Sequence, residues 1–446
     1  MLRRLLFYNF RTVYRVDRWF RQRFTPLGML IFGVAIAGAV FGIDTRKTFA
    51  YQIFAFALAL LLLAMFSSLF FRSRFELHRQ LPRFGTVGEP VHYQLHIKQH
   101  SKAPCLNLVV REEAQTRHLR FSQFQQFKEP GDHYRNRFDR YVGYPRWLIW
   151  IRQQRGFSCD WQILPTLLPK QWHKIPLTLY PHRRGFIDLQ ALIIAKSDSM
   201  NLFRALYKNE QKQRLLILPR LYQAPDVQLP GTRKYQPGGV NLAMSVGDAM
   251  EFFALREYRP GDPLRNIHWK SWARQGKPIV KEYQDEFFVR HGLILDTFHP
   301  EGGGDIFEDA VSVAASFVSN MTTQDTLLDM MLVGDQAYCF TSGRGLQHLD
   351  KMLEILACVQ PESRKTIKEL KPLVTEHANI LSGCICILLG WDDARKNLIQ
   401  CLHALNIPLL GLIICPPDTI LEALPADIYV LHSGQIQEDL NHLQRS

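Results

Sequence analysis

The chain has 446 residues, enough for two or three domains, and 54 Lys and Arg against 41 Asp and Glu give it a formal charge of +13. Its eight cysteines, at 105, 159, 339, 358, 384, 386, 401 and 415, form no CxxC pair or Cys/His zinc spacing, so they read as the reduced thiols of a cytoplasmic body. There is no Walker A sequence, no G-x-G-x-x-G fingerprint and no G-x-S-x-G elbow, which removes the commonest nucleotide and serine-hydrolase motifs.

Residues 1–26 form a basic lead, with Arg3, Arg4, Arg11, Arg15, Arg18, Arg21 and Arg23 against Asp17 alone. Leu6, Phe10, Val13, Val16 and Phe20 recur at spacings of three and four, an amphipathic stripe suited to the anionic inner leaflet. Two uncharged runs follow, Leu27–Ile43 and Phe49–Phe71, of 17 and 23 residues. About 17–25 apolar residues span the hydrocarbon core, so residues 27–71 are predicted to be a transmembrane helical hairpin turning at Asp44–Thr48. Arginines lie before the first run and at Arg72, Arg74 and Arg79 after the second, which puts both ends in the cytoplasm by the positive-inside bias. A signal peptide cleaved near Ala35-x-Ala37 is the competing reading, opposed by the long charged lead and the second span directly after the first.

Residues 72–218 alternate apolar and polar positions in short runs such as Val91–Lys98 and Lys174–Tyr180, bounded by turns at Gly88-Glu89-Pro90 and Arg183-Arg184-Gly185. The pattern predicts an antiparallel β-sandwich. Within it, residues 111–160 interleave ten basic residues with ten aromatics, among them Phe121, Phe124, Phe127, Tyr134, Trp147 and Trp150. Such a mixture suits single-stranded nucleic acid, a headgroup layer, or an insertion packed on the sandwich. The last is favoured, and with no nucleic-acid-binding motif alongside, no nucleic-acid partner is expected.

Residues 219–289 contain the densest signal, EFFALREYRPGDPLRNIHWKSWARQGKPIVK over 251–281. Arg256, Arg259, Arg265, Lys270, Arg274, Lys277 and Lys281 surround Glu257 and Asp262, threaded with Tyr258, His268, Trp269 and Trp272. Trp, Tyr and Arg are enriched where proteins grip other proteins or anions. Pro260-Gly261-Asp262-Pro263 marks a turn between a helix or strand and a following helix. The order E-x-x-x-L-R-E-Y-x-x-G-D-x-x-R-x-I-H-W-K-x-x-A-R-x-G-x-x-x-V-K-E resembles the signature of the domain-of-unknown-function 58 family, a bacterial and archaeal group often encoded beside MoxR-type AAA+ ATPases. The resemblance implies a β fold with an R-G turn, here Arg184-Gly185, followed by D-P-F-G-L-F. In this chain the latter has become Asp198-Ser199-Met200-Asn201-Leu202-Phe203, which puts its turn chemistry in question.

Residues 290–446 alternate strand and helix. Strands are predicted at Arg290–Thr297, Leu327–Gly334, Cys384–Gly390, Ile407–Cys415 and Ile428–His432, with helices from Asp305 to Met321, Leu346–Val359 and Asp393–Leu405. This predicts a doubly wound α/β sheet. By the family resemblance it is a von Willebrand A-like domain, whose D-x-S-x-S sequence holds Mg²⁺ after the first strand. The matching positions here are Asp296, Phe298 and Pro300, so both hydroxyls are lost and only a degenerate site on Asp296, with Asp392 or Asp393, remains to be weighed. No metal and no cofactor is expected. The fold expected is a membrane-anchored multidomain chain: transmembrane hairpin, β-sandwich and von Willebrand A-like sheet.

Arg256, Glu257, Tyr258, Arg259, Gly261, Asp262, Arg265, His268, Trp269, Lys270 and Arg274 are the candidate site, read as a structural hub with packed indoles, as a partner surface, or as both. The residues together are read as a non-enzymatic, multi-pass inner-membrane protein with its bulk cytoplasmic and the lipid bilayer as one partner; the resemblance implies a MoxR-type AAA+ ATPase as the other. Two other readings stand beside it: a metal-dependent or hydrolytic enzyme using the 262–270 cluster, and a structural scaffold of the envelope.

Overall fold

The computed structural model describes residues 2–41, 48–71, 73–114, 121, 124, 136, 142–225, 251–262, 264–284, 290–298, 304–322, 327–333, 337–342, 346–363, 365–417, 419 and 424–443. It is a mixed α/β chain of two compact units, Met1–Arg220 and Leu221–Ser446.

The first unit opens with α1 (Leu2–Arg23), a helix without internal glycine or proline. Thr25 caps the next helix, α2 (Pro26–Phe41): its hydroxyl accepts the Gly28 N–H at 3.0 Å, and Pro26 occupies the first helical position, where no N–H is needed. α3 (Thr48–Ser68) packs on α2 closely enough that a Cβ on Gly38 would stand 3.2 Å from Phe54. Phe49–Ser68 is long and apolar enough to cross a membrane, with mean hydropathy 2.3, whereas α2 is apolar but shorter. The helical part of the second apolar run stops at Ser68, short of the expected Phe71. Asp44–Lys47 lie outside the described residues.

α1 also packs on protein, by a face that overlaps the expected leaflet stripe at Phe10. Phe7, Phe10 and Tyr14 face inward, whereas Val13 and Val16 are exposed. The cause is a partner: Phe124 and α4 (Tyr144–Arg155) present Trp147 and Trp150, and the rings of Phe10 and Tyr14 meet Trp147 at 6.3 and 5.1 Å. Of the described aromatics of the 111–160 region, Phe121, Phe124, Tyr144, Trp147 and Trp150 pack with α1, whereas Phe157 is buried in the core between the sheets; Phe127 and Tyr134 lie outside the described residues.

Two sheets share the core of this unit. One has the order β1 (Phe75–Gln80), β3 (Val91–Gln99), β7 (Trp172–Pro181), β5 (Phe157–Ser158). The other runs β2 (Phe84–Thr86), β9 (Arg204–Leu218), β8 (Gly185–Ser197), β4 (Leu108–Ala114), β6 (Gln162–Ile163), antiparallel except for the β2–β9 pair. Alternation along β3 buries Val91, Tyr93, Leu95 and Ile97 against Leu108, Val110, Ile187 and Leu215 of the second sheet. Between the sheets Arg79 grips Glu112 bidentately at 2.8 and 2.9 Å, and Tyr93 donates to the same carboxylate at 2.7 Å.

The 198–203 turn is closed by its own acid and asparagine. Asp198 accepts the N–H groups of Leu202 and Phe203 at 2.7 and 2.8 Å, and Asn201, at φ 53°, adopts the left-handed conformation that asparagine tolerates. The turn docks on the start of α2: Thr25 N–H donates to the Leu202 carbonyl at 3.1 Å, and Leu202 and Phe203 are buried with Ala64 of α3.

In the second unit, β10 (Glu251–Glu257) and β11 (Ile279–Gln284) form an antiparallel pair enclosing α5 (Trp269–Gln275). The larger sheet has the order β14 (Ala337–Ser342), β13 (Leu327–Val333), β12 (Arg290–Leu295), β15 (Gly383–Leu388), β16 (Leu409–Cys415), β17 (Ile428–His432). Only the β13–β14 pair is antiparallel. β15 and β16 are buried at every position, as strands covered on both faces must be. The helices are α6 (Asp305–Thr322), α7 (Leu346–Cys358), α8 (Leu370–His377), α9 (Asp393–Ala404) and α10 (Ile436–Leu443). β14 and α8 were not foreseen: the YCFT and PLVT runs inside them are too short for periodicity to distinguish strand from helix.

Gly28 tests the turn-to-helix contact. In an exposed helix Gly→Ala gains about 1 kcal/mol, but here a Cβ would stand 2.0 Å from the Leu202 carbonyl oxygen. Overpacking against backbone costs about 1–3 kcal/mol, so Gly28→Ala is expected to lower the thermal midpoint of the detergent-solubilised chain. A higher midpoint would show that the turn does not press on α2.

Candidate functional site

The signature folds as strand, turn, short 3-10 segment (Leu264–Asn266), helix and strand, rather than ending in a helix. Its return strand is needed because Ile267, Ile279 and Val280 are the buried apolar positions, and Ile267 bridges to Val280. Tyr258 N–H donates to the Pro278 carbonyl at 2.9 Å and His268 N–H to the Ile279 carbonyl at 2.8 Å, closing both ends of the excursion.

Charge fixes the turn. Arg256 reaches both oxygens of Asp262 at 2.7 and 2.8 Å, and Asp262 also accepts the Arg259 N–H at 2.9 Å. The Arg256 hydrogen bonds, with that amide, hold the Asp262 carboxyl down at about 2. Gly261 stands at φ 111°, a conformation that strains other residues. Glu257 pairs with Lys277 at 3.3 Å between exposed side chains, a contact that contributes little. His268 Nδ1 lies 2.7 Å from Ser271 Oγ.

The remaining residues of the segment face outward. Arg259, Arg265, Lys270 and Arg274 are exposed. Trp269 is 65% exposed and stacks on Trp272 with centroids 5.3 Å apart, and Leu264 is 67% exposed. The expectation that the indoles pack in a buried hub is corrected for Trp269: β11 and Ile267 supply the buried side of the module, which leaves this ring on the surface. Glu251 and Glu282, expected ion-pair partners, have side chains outside the described set.

At the end of β12, Asp296 is fully buried and does meet Asp392, but through an arginine. Arg395 Nε donates to Asp296 at 2.6 Å, its Nη1 to Asp392 at 2.6 Å and its Nη2 to the Phe298 carbonyl at 2.9 Å. The Leu389 and Phe298 N–H groups complete the Asp296 shell at 2.9 and 3.0 Å. Burial pushes the Asp296 carboxyl up, and Arg395 with these two amides pulls it back. Thr297, the remaining hydroxyl, donates to the Val333 carbonyl. This donor set does not fit a divalent cation: a guanidinium already lies on the carboxylate, and positions 298 and 300 lack oxygen-bearing side chains. Asp393 takes no part; its carboxylate is exposed, 3.8 Å from Lys396. Arg395 was missed in the sequence, although Asp392, three residues ahead and capping α9 by accepting the Arg395 N–H at 2.9 Å, was a readable signal.

Residues 254–375 match the family described as "Protein of unknown function DUF58". The chain is 26% identical over 201 residues to "Uncharacterized protein YeaD" of Bacillus subtilis (strain 168), an alignment covering 43% of this chain and 49% of that protein, about half its length. Among solved structures, the CARDB domain of PF1109 from Pyrococcus furiosus aligns with 32% of this chain and 94% of that one at 10% identity and TM-score 0.17. A β-glucosidase from Listeria innocua in complex with glucose aligns with 32% of this chain and 16% of that one at 11% identity and TM-score 0.18. Scores this low carry no argument about fold or function.

Two outcomes check this geometry. Asp262 has a depressed pKa, so its stabilisation is full above the ordinary carboxylate range and is lost as pH falls toward about 2. Asp262→Asn is therefore expected to lower the thermal midpoint at neutral pH, with the gap to wild type closing as pH approaches 2; a gap that persists there contradicts the pairing. Millimolar Mg²⁺ or Mn²⁺ is expected to leave the wild-type midpoint unchanged. Arg395→Ala strands a buried carboxylate at a cost of about 3–5 kcal/mol. An ion-dependent rise in wild type that vanishes in Asp296→Ala would mean that a cation displaces Arg395.

Proposed function

We propose that this DUF58-family protein is a non-enzymatic, membrane-anchored platform whose signature segment docks a MoxR-type AAA+ ATPase, the pair acting in protein assembly or maturation. In this reading α2 and α3 form a transmembrane hairpin in the inner membrane with both ends cytoplasmic. The two sheets of the first unit form a β-sandwich, and the six-stranded sheet is a von Willebrand A-like domain that works without a metal.

The observation that carries the proposal is the division of labour within residues 255–277. One arginine, Arg256, is consumed by the turn, while Arg259, Arg265, Lys270 and Arg274 stay exposed beside Leu264 and Trp269. Exposed indole and aliphatic surface costs solvation unless a partner covers it, and Trp and Arg are the side chains that dominate binding hot spots. The AAA+ identity of the partner rests on the family resemblance.

The same geometry speaks against Asp262 as the general base of a 262–270 cluster. An Asp262 carboxyl held at about 2 and gripped by a guanidinium is a poor base near neutral pH. Substrate-dependent turnover by the purified chain would contradict this part of the reading.

Arg259→Ala, Arg265→Ala and Trp269→Ala are each expected to leave thermal stability nearly unchanged and to weaken capture of the ATPase, a central position by about 2 kcal/mol or more. If all three fold, capture the ATPase normally and complement a deletion strain, the docking surface lies elsewhere.

A further inference from the structure

Where α1 and α4 meet the outer face of the second sheet in the first unit, cations crowd together. Arg111 and Glu113 of β4 point away from the core, since Glu112 between them points into it. Arg18 of α1 pairs with Glu113, and Lys208 of β9 reaches the same carboxylate at 2.8 Å. With its amide oxygen turned toward the guanidinium groups, Gln22 accepts from Arg18 Nε and Arg111 Nη2 at 3.1 Å each. Arg155 of α4 donates to the Tyr14 hydroxyl.

Trp161 forms the floor. Arg111 and Arg204 both lie over its ring, 4.8 and 5.2 Å from the centroid. Arg204 Nε is buried with no hydrogen-bond partner among the described residues. Glu113 takes both Arg18 and Lys208, and Glu210 lies 3.9 Å from Lys208, so the carboxylate nearest Arg111 and Arg155 is already shared between two other cations. Burial pushes Arg111 and Arg155 down from their ordinary values, and Arg18 pushes both further. Cations held this close with too few acids store repulsion that an anion relieves.

We infer that this corner binds the phosphate of an anionic phospholipid headgroup, held by Arg111, Arg155 and Arg204 with Arg18 behind them. Guanidinium forks match phosphate oxygens, and a free Nε–H beside a π-face is the kind of donor such a group takes up. A lipid rather than a free phosphate follows from position. Gln22 lies three residues before the α2 cap at Thr25, and Arg204 directly follows Phe203, which is buried with Ala64 of α3. Arg23 lies over the rings of Trp19 and Phe203 at 5.7 and 5.8 Å, an aromatic and basic layer of the sort found at headgroup depth. The inference rests on the membrane-anchored reading for the source of the phosphate.

The test uses the full chain in vesicles of phosphatidylcholine and phosphatidylglycerol in equal parts. Flotation with the vesicles reads the membrane anchor; after extraction, native mass spectrometry reads which lipid stays bound. Wild type is expected to float and to retain phosphatidylglycerol in preference. Arg111→Gln and Arg204→Gln are expected to float, to fold in lipid-free detergent with an unchanged or higher midpoint, and to lose that preference by about tenfold, with Arg204→Lys in between. Equal retention of both lipids by wild type, an undiminished preference in the glutamine variants, or variants that no longer fold would each overturn the site. A chain that does not float overturns the anchor and the lipid together. Glycerol phosphate raising the wild-type midpoint as much as phosphatidylglycerol does would reassign the site to a free phosphate.

Discussion

A carboxylate taken out of water must bring its counter-charge with it, and this chain meets that demand with arginine each time. Glu112, Asp296 and Asp329 are the buried carboxylates among the described residues. They are gripped by Arg79, Arg395 and Arg290 at 2.6–2.9 Å, with two guanidinium N–H bonds each for Glu112 and Asp329. Removing one partner of such a pair costs about 3–5 kcal/mol, as much as a large fraction of a domain's net stability. The first unit depends on Arg79–Glu112 to pin its two sheets together, the second on Arg290–Asp329 between β12 and β13 and on Arg395–Asp296 at the β12 end.

Once these arginines are assigned to acids, those not so assigned become informative. The signature segment uses Arg256 to lock its own turn and leaves Arg259, Arg265 and Arg274 at the surface beside Trp269. The corner near the α2 start gathers Arg18, Arg111 and Arg155 around Glu113, with Arg204 over the same Trp161 ring as Arg111. An arginine matched to a buried acid is part of the fold; clustered arginines that outnumber their acids suit an incoming anion or partner. The end of β12 shows the converse. There the buried Asp296 carboxylate faces Arg395, which occupies the position a cation would need.

The sequence was readable where a single period governs. The charge-free run at 49–71 and the alternation of VHYQLHIK each follow from one local rule, and the structure has a helix to Ser68 in the first and a strand in the second. It was opaque where the partner is distant. Which side of α1 packs on protein depends on Trp147 and Trp150, more than 120 residues away, and the spacing of its own apolar residues does not reveal it. For Trp269 the sequence leaves a packed hub and a partner surface both open; in the fold the return strand β11 supplies the buried side of the module and the ring is exposed. Asp296 was singled out correctly as a strand-end acid, while its counter-ion 99 residues later left only the Asp392 cap as a trace. In the 198–203 turn Asp198 and Asn201 supply the two features the backbone needs, a carboxylate acceptor and a left-handed residue.

The central claim is that residues 255–277 are the docking surface. Hydrogen exchange of the full chain in bilayers, with and without saturating MoxR-type ATPase, reads that surface without any substitution. The account predicts that slowed exchange on adding the ATPase concentrates at the backbone amides of residues 255–277. Protection concentrated on other segments, or none in this one at saturation, would contradict it.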